Sequence, residues 1–458
     1  MEAPSARLRK PARPDDDSMS PSPAADAVTN DEQFQLKGYT QDSKGEQPSS
    51  SPSSPANNAR TRPAHDLSLG ESIWAAVKVT LSDSYTSYLL PFVFLGIVAG
   101  RQHWNDSLVF VLNFLATLPL AALLSFATEE LAKSVGQLLG GLVNATFGNA
   151  VEMIVCLPFF AASVYVQRLM WLLQVGITAV SRGEMNIVQS SMVGSILSGS
   201  LLILGCCLTA GGLSKDTVAF NVDVSGILSS LMVVASASLI IPSILDSTTP
   251  PSWDAVHGSV LSLSRATSAV LLVFYLVYLY FQLKSHADLF VDDSEEDEEE
   301  AKLDPWAASL VLILATLGVT FCSDYLVDSV DGFVEAWGVS RAFIGLIVVP
   351  VIGNAGEFNT AITAAMKNNM DLAIGVIVGS TLQIALFVSP FLVMCGWVIG
   401  QPMSLRYSTF ETVVFFLSVI VMDCLIRGGR SNYYEGCLLI GTYLIIAIAF
   451  YIHPDSAQ

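Results

Sequence analysis

Gly148-Asn149-Ala150-Val151-Glu152 returns later in the chain as Gly353-Asn354-Ala355-Gly356-Glu357, and both copies lie inside apolar stretches long enough to cross a bilayer. A carboxylate at bilayer depth costs several kcal/mol unless it holds a proton or meets a cation. A chain with two of them in matching surroundings has kept them for use. Duplicated phrases mark an internal repeat, and in membrane proteins such repeats commonly build transporters with the substrate between the halves.

Composition agrees with that class. Hydrophobic residues are 52% of the 458 and charged residues 14%, with positive mean hydropathy, which reads as polytopic rather than soluble. The formal charge of -19 is uneven, because much of the acid sits in Asp292-Asp293-Ser294-Glu295-Glu296-Asp297-Glu298-Glu299-Glu300 and in the N-terminal tail. Nucleic acid is therefore not an expected partner, whereas a lipid bilayer is. Cys156, Cys206, Cys207, Cys322, Cys395, Cys424 and Cys437 show no metal-type spacing and read as small core residues. Residues 1–72 lack an apolar core and are rich in Pro, Ser, Asp and Asn, which predicts a disordered cytosolic tail without a cleavable signal.

A window of about 19 residues finds apolar spans over 84–101, 107–127, 137–160, 187–212, 217–245 and 263–283. Beyond the acidic run come 306–329, 342–365, 371–398, 408–427 and 433–452. The predicted fold class is all-α: a polytopic membrane protein of about 11 transmembrane helices, arranged as one N-terminal helix plus two inverted five-helix repeats. Residues 73–285 hold the first helix and first repeat, 286–304 an acidic cytosolic linker, and 305–458 the second repeat. An odd number of spans per repeat makes the halves run antiparallel across the membrane. The repeat extends beyond the carboxylate phrase, since Leu115-Ala116-Thr117-Leu118 answers Leu314-Ala315-Thr316-Leu317, and Gly194-Ser195 answers Gly379-Ser380. Loop Lys and Arg residues slightly favour a cytosolic N-terminus.

The interval from Glu152 to Ser195 exceeds that from Glu357 to Ser380 by about twenty residues, most simply Cys156 to Val175. Three readings of 156–175 stand open: a translated intron, a hairpin or bent extension of the third span, and a true extra span.

Glycine beside asparagine ahead of a glutamate supplies close backbone approach, an amide oxygen and a carboxylate within about one and a half helical turns. Those are ligands for a hard cation such as calcium, which takes six to eight oxygens. The candidate cation and proton ligands are Glu152, Glu357, Asn149 and Asn354, with Gly148 and Gly353 beside them. Supporting polar candidates are Gln189, Ser195 and Ser198 in the first half and Ser380, Thr381 and Gln383 in the second. In a low-dielectric site a glutamate without a cation prefers its proton, so calcium and protons compete there, and alternate exposure of one such site gives exchange. No P-loop pattern is present, so a gradient must drive the work, and no enzymatic chemistry or resident cofactor is expected.

The stretch Gly140-Gly141-Leu142-Val143-Asn144-Ala145-Thr146-Phe147-Gly148-Asn149-Ala150-Val151-Glu152 resembles the first-repeat signature of the calcium/proton exchangers of fungal and plant vacuoles, in the calcium/cation antiporter superfamily. Gly353 to Glu357 is similar to the second signature, and the likeness runs through Met370 to Gly375 and Gln383 to Val388 over roughly 75–455. The resemblance implies eleven spans, an acidic loop, a vacuolar or other acidic endomembrane location, and calcium, in some members manganese, moved against protons. It makes Glu152 and Glu357 the ion site, and Asp324 matches a family acidic position, with a place on the ion or proton route and a helix-end or packing role both open. Two residues depart from the pattern: Phe358 stands where the family has histidine, and Gly199 where it has asparagine. A sodium-coupled or manganese-selective exchanger of the same fold, or a membrane protein that binds calcium without transporting it, are the alternatives.

Overall fold

The computed structural model describes residues 88–134, 149, 178–213, 215, 217–248, 255–289 and 303–452. The tail 1–72, Gly148, Glu152, the surplus stretch 156–175 and the acidic run 292–300 lie outside the described residues.

Among the described residues the first repeat begins after α1 (Pro91–Arg101) with α2 (Asp106–Ser134). Helix α3 runs Thr178–Leu197, passes through a π-helical turn at Ser198–Ile203 and finishes as Leu204–Gly212. Then come α4 (Val222–Thr248) and α5 (Ala255–Tyr280). The second repeat holds α6 (Pro305–Asp328), the short α7 (Val330–Trp337), α8 (Arg341–Gly353) and α9 (Ala355–Met366). It continues with α10, which is Met370–Gln383, a π-helical turn Ile384–Val388 and Ser389–Ile399, and ends with α11 (Thr409–Ile426) and α12 (Tyr433–Ile452). Eight of these helices are long and apolar enough to cross a membrane, and α8 with α9 makes one more span bent by 57°.

Every apolar stretch within the described residues meets a helix; 137–160, Asn149 excepted, lies outside them. The boundaries shift where capping and pairing outrank hydropathy. The fifth span starts at Val222 rather than at 217, because Val218–Ala219 (β1) pairs antiparallel with Arg430–Ser431 (β2) and Asn221 Oδ1 accepts from the Asp223 and Val224 amides. The eighth span is broken at Asn354, a break that a uniformly apolar window does not register.

Packing follows a two-fold rule. Helix α2 packs on its counterpart α6 and α4 on α11, while the last part of α3 lies on α12 as the last part of α10 lies on α5. The two innermost helices are also counterparts: the spanning windows of α3 and α10 are 83% and 61% buried, against 28% for α5 and α12. Lipid is as apolar as leucine, so helices meet through small residues that admit close approach. Helix α3 supplies them in Ser190, Ser191, Gly194, Ser195, Ser198 and Gly199. A side chain at Gly194 would collide with the Leu346 carbonyl, so this glycine lets α3 lie against α8.

Between α10 and α11 the chain is extended, burying Gln401, Met403, Leu405 and Tyr407 alternately. Side chains rather than a partner strand hold this strap. Gln189 Nε2 donates to the Ser404 carbonyl at 2.7 Å, and the Leu405 amide donates to Ser264 Oγ at 3.1 Å. Ser243 Oγ donates to the Leu405 carbonyl at 3.1 Å and accepts from the Tyr407 amide at 2.9 Å. Burial pushes the Tyr407 phenol above its ordinary range.

Candidate ion site between the repeats

The break between α8 and α9 places Asn354 at the bend and Glu357 in the first turn of α9. Pro350 lies four residues before the bend, and the Asn354 amide still donates to the Pro350 carbonyl at 3.0 Å. Discontinuous helices of this kind bring helix ends into the membrane interior, where dipoles and freed backbone groups face an ion. Glu357 is 9% exposed and Asn354 is 4% exposed. Gly356 is required beside them, because any Cβ there would overlap the Ser125 hydroxyl on α2.

Both asparagines reach across to the other repeat, and they do so at equivalent positions. Asn354 Nδ2 donates to the Ser195 carbonyl at 3.0 Å and to Ser198 Oγ on α3. Asn149 Nδ2 donates to Gln383 Oε1 at 2.5 Å, and Asn149 Oδ1 accepts from Ser380 Oγ at 2.9 Å. Ser195 and Ser380 follow the matched glycines Gly194 and Gly379, and Ser198 and Gln383 each stand three residues further on. The two π-helical turns begin within about one turn of these pairs, the placement in which such bulges commonly mark functional sites.

The other candidates separate clearly. Thr381 Oγ1 donates back to the Ile377 and Val378 carbonyls, and its methyl packs toward Gly199. A Cβ at position 199 would sit 2.5 Å from that methyl, so the space a larger residue would need at Gly199 is filled by Thr381. Gln189 is committed to Ser404 in the strap. Asp324 is exposed on α6, and among the described residues no hydrogen bond or ion pair joins it to the asparagine cluster. Phe358 is 38% exposed and Gly353 is buried. Gly148 and Glu152 lie outside the described residues. Among the described residues no three His, Cys, Asp or Glu side chains form a metal-type cluster.

Sequence reasoning missed a buried carboxyl at the start of α11. Glu411 is 4% exposed, accepts from Ser190 Oγ on α3, and accepts from the Ser408 amide at 2.9 Å in a capping box that starts α11. The signal was present as Ser408-Thr409-Phe410-Glu411 just before an apolar run. At the other end of the helices Glu130, 1% exposed, accepts from the Leu303 amide at 3.0 Å and from Lys133 at 3.2 Å, which ties the end of α2 to the start of α6.

Residues 173–284 and 307–452 match the sodium/calcium exchanger protein family. The chain is 40% identical over 394 residues to a vacuolar calcium ion transporter of Schizosaccharomyces pombe, covering 86% of this chain and 90% of the relative. It is 38% identical over 417 residues to vacuolar cation/proton exchanger 2 of Oryza sativa subsp. japonica, covering 86% and 89%. Among solved structures, native YfkE superimposes with a TM-score of 0.66 at 31% identity, covering 80% of this chain and all of that one.

Proposed function

The chain belongs to the sodium/calcium exchanger protein family, and from that premise we propose that it is a secondary antiporter that moves calcium across the vacuolar membrane in exchange for protons. Its relatives named above are a vacuolar calcium transporter and a vacuolar cation/proton exchanger. They do not favour a sodium-coupled exchanger or a protein that has ceased to transport. The chain crosses the lipid bilayer several times, and calcium and protons are its cargo.

The ion is held where the repeats meet. Glu152 and Glu357 are the carboxylates that calcium and protons contest, Asn149 and Asn354 complete the two half-sites, and Ser195, Ser198, Ser380 and Gln383 hold the asparagines. The observation that carries this reading is the reciprocal bonding, with each repeat's asparagine fixed by the other repeat's serine pair or serine and glutamine. A site shared in this way changes when one half moves against the other, which is what alternating access requires. Thr381 packs the α3–α10 contact, and Gln189 holds the strap. A proton leaves a glutamate as calcium arrives, and the reverse step follows when the site opens to the proton-rich side.

The test is calcium uptake into vesicles under an imposed proton gradient. Glu357→Gln and Glu152→Gln each remove a negative charge that balances calcium and a group that carries the exchanged proton, and both are expected to abolish uptake. Uptake that ignored both substitutions would sink the assignment.

A further inference from the structure

Three arginines each hold an aspartate: Arg341 pairs with Asp331 at 2.7 Å, Arg406 with Asp246 at 2.6 Å and Arg427 with Asp423 at 2.8 Å. Arg101 and Arg430 have no such partner and stand exposed. Arg265 is in neither position. It lies within the apolar span Gly258–Ser285, about 10 Å along α5 from the start of that span. Among the described residues no carboxylate pairs with it, and its Nε is buried without a hydrogen-bond partner. The guanidinium lies over the ring of Trp397 near the end of α10, 5.4 Å from the centroid. A ring face attracts the cation but satisfies none of its N–H donors in the manner of an oxygen. Ser268 Oγ, one turn deeper on α5 and buried, has no partner either, although Ser262 on the same helix gives its hydroxyl to the Gly258 carbonyl at 2.8 Å. Two unmet donors thus stand within one turn. A charge inside a span without a counter-ion marks a functional site whose partner is to be named.

The surroundings identify that partner. Trp397 is 52% exposed and Val398 beside it 87%, so this end of α10 faces outward and not toward the repeat interface. On the same face of α5 as Arg265 follow Ala269, Leu272 and Leu276, of which Ala269 and Leu276 are exposed. The strap passes at the same level, since the Leu405 amide reaches Ser264 next to Arg265. A tryptophan and an arginine near the end of a span stand at the depth of lipid headgroups. A phosphate at that depth accepts paired N–H bonds from a guanidinium fork. A zwitterionic headgroup brings its own cation to compete for that phosphate, and a headgroup of net negative charge does not.

We infer that Arg265 and Trp397 seat the phosphate of one anionic phospholipid where α5 meets the end of α10, with its acyl chains along Ala269, Leu272 and Leu276. The seat shares no residue with the ion site and stands whichever ion is carried. A lipid bound there balances the arginine and ties α5 to the end of α10 beside the strap.

The experiment is native mass spectrometry of the full-length protein released from detergent micelles and titrated with phosphatidylglycerol, phosphatidylcholine or inorganic phosphate. The parent is expected to bind a first phosphatidylglycerol about tenfold more tightly than phosphatidylcholine. Arg265→Gln is expected to weaken that first phosphatidylglycerol about tenfold and to leave phosphatidylcholine within about twofold. Arg265→Lys, which keeps the charge but loses the fork, is expected to weaken it about threefold. Arg101→Gln removes an exposed, unpaired arginine and is expected to leave the first Kd within about twofold. Equal weakening by Arg101→Gln and Arg265→Gln would reduce the effect to diffuse surface charge and overturn the inference. Inorganic phosphate that displaces the lipid from the parent, and binds no longer to Arg265→Gln, would make the ligand a soluble anion and overturn the lipid. If Arg265→Gln fails to fold, Arg265→Lys and Trp397→Leu take its place: weaker phosphatidylglycerol binding in both supports the seat, and an unchanged affinity in either overturns it.

Discussion

At the scale of single residues, the departure at Gly199 has a structural counterpart. Thr381 projects its methyl into the space where a side chain at 199 would begin, at 2.5 Å from the Cβ position. Helices that touch through such a contact do not accept an added methyl freely, and overpacking costs about 1–3 kcal/mol. Gly199→Ala is therefore expected to lower the thermal unfolding midpoint in detergent, and Thr381→Ser, which deletes the methyl, to recover it in the double variant. If the double variant is no more stable than Gly199→Ala alone, the contact is not the cause. The residues of the bonded cluster between the repeats are legible at this scale. Asn149 and Asn354 were marked by the duplicated phrase, and Ser195, Ser198, Ser380 and Gln383 by the matched glycines. Gln189 is a polar group in the same span, but helical geometry separates it from them. Ser195 and Ser198 lie within about 60° on α3, whereas Gln189 is about 120° round from Ser195. Thr381 is likewise turned away from the asparagines, because a threonine inside a helix often satisfies its hydroxyl on its own preceding turn.

At the scale of elements, apolar windows found each described span but not its interruptions. The bend at Asn354 and the π-helical turns in α3 and α10 lie in stretches apolar on all sides, where periodicity carries no signal. The start of α11 was readable from its capping box, yet the contact that anchors it was not. Ser408 holds the first turn locally, and Ser190 joins Glu411 to the central helix α3 from far away in sequence. The two bonds have different weights. Ser408→Ala removes a cap, worth about 1 kcal/mol. Ser190→Ala leaves a buried carboxyl oxygen without its donor, which costs about 1–3 kcal/mol. Thermal unfolding in detergent is expected to show the larger loss for Ser190→Ala. A larger loss for Ser408→Ala would mean that α11 stands on its own cap and that its tie to α3 is dispensable.

At the scale of the molecule, inverted symmetry was legible because it leaves two independent traces in sequence: recurring phrases and an odd number of apolar stretches per half. The packing obeys it, with α2 on α6, α4 on α11, and α3 against α12 as α10 against α5. What the symmetry does not predict is the interval between Glu152 and Ser195, longer than its counterpart by the stretch 156–175. Asn149 nevertheless meets Ser380 and Gln383 at the positions that mirror Asn354 on Ser195 and Ser198. The half-site ahead of the surplus stretch is thus in register with the half-site behind it. A chain lacking 156–175 has the intervals of its second half, so the reciprocal bonds have no need of those residues. Deletion of 156–175 is expected to preserve membrane insertion and proton-driven calcium uptake in vesicles, at rates no lower than those of the full chain. Loss of uptake on deletion, with insertion intact, would instead make the stretch a working part of the first repeat, and the two halves would then differ in mechanism as well as in length.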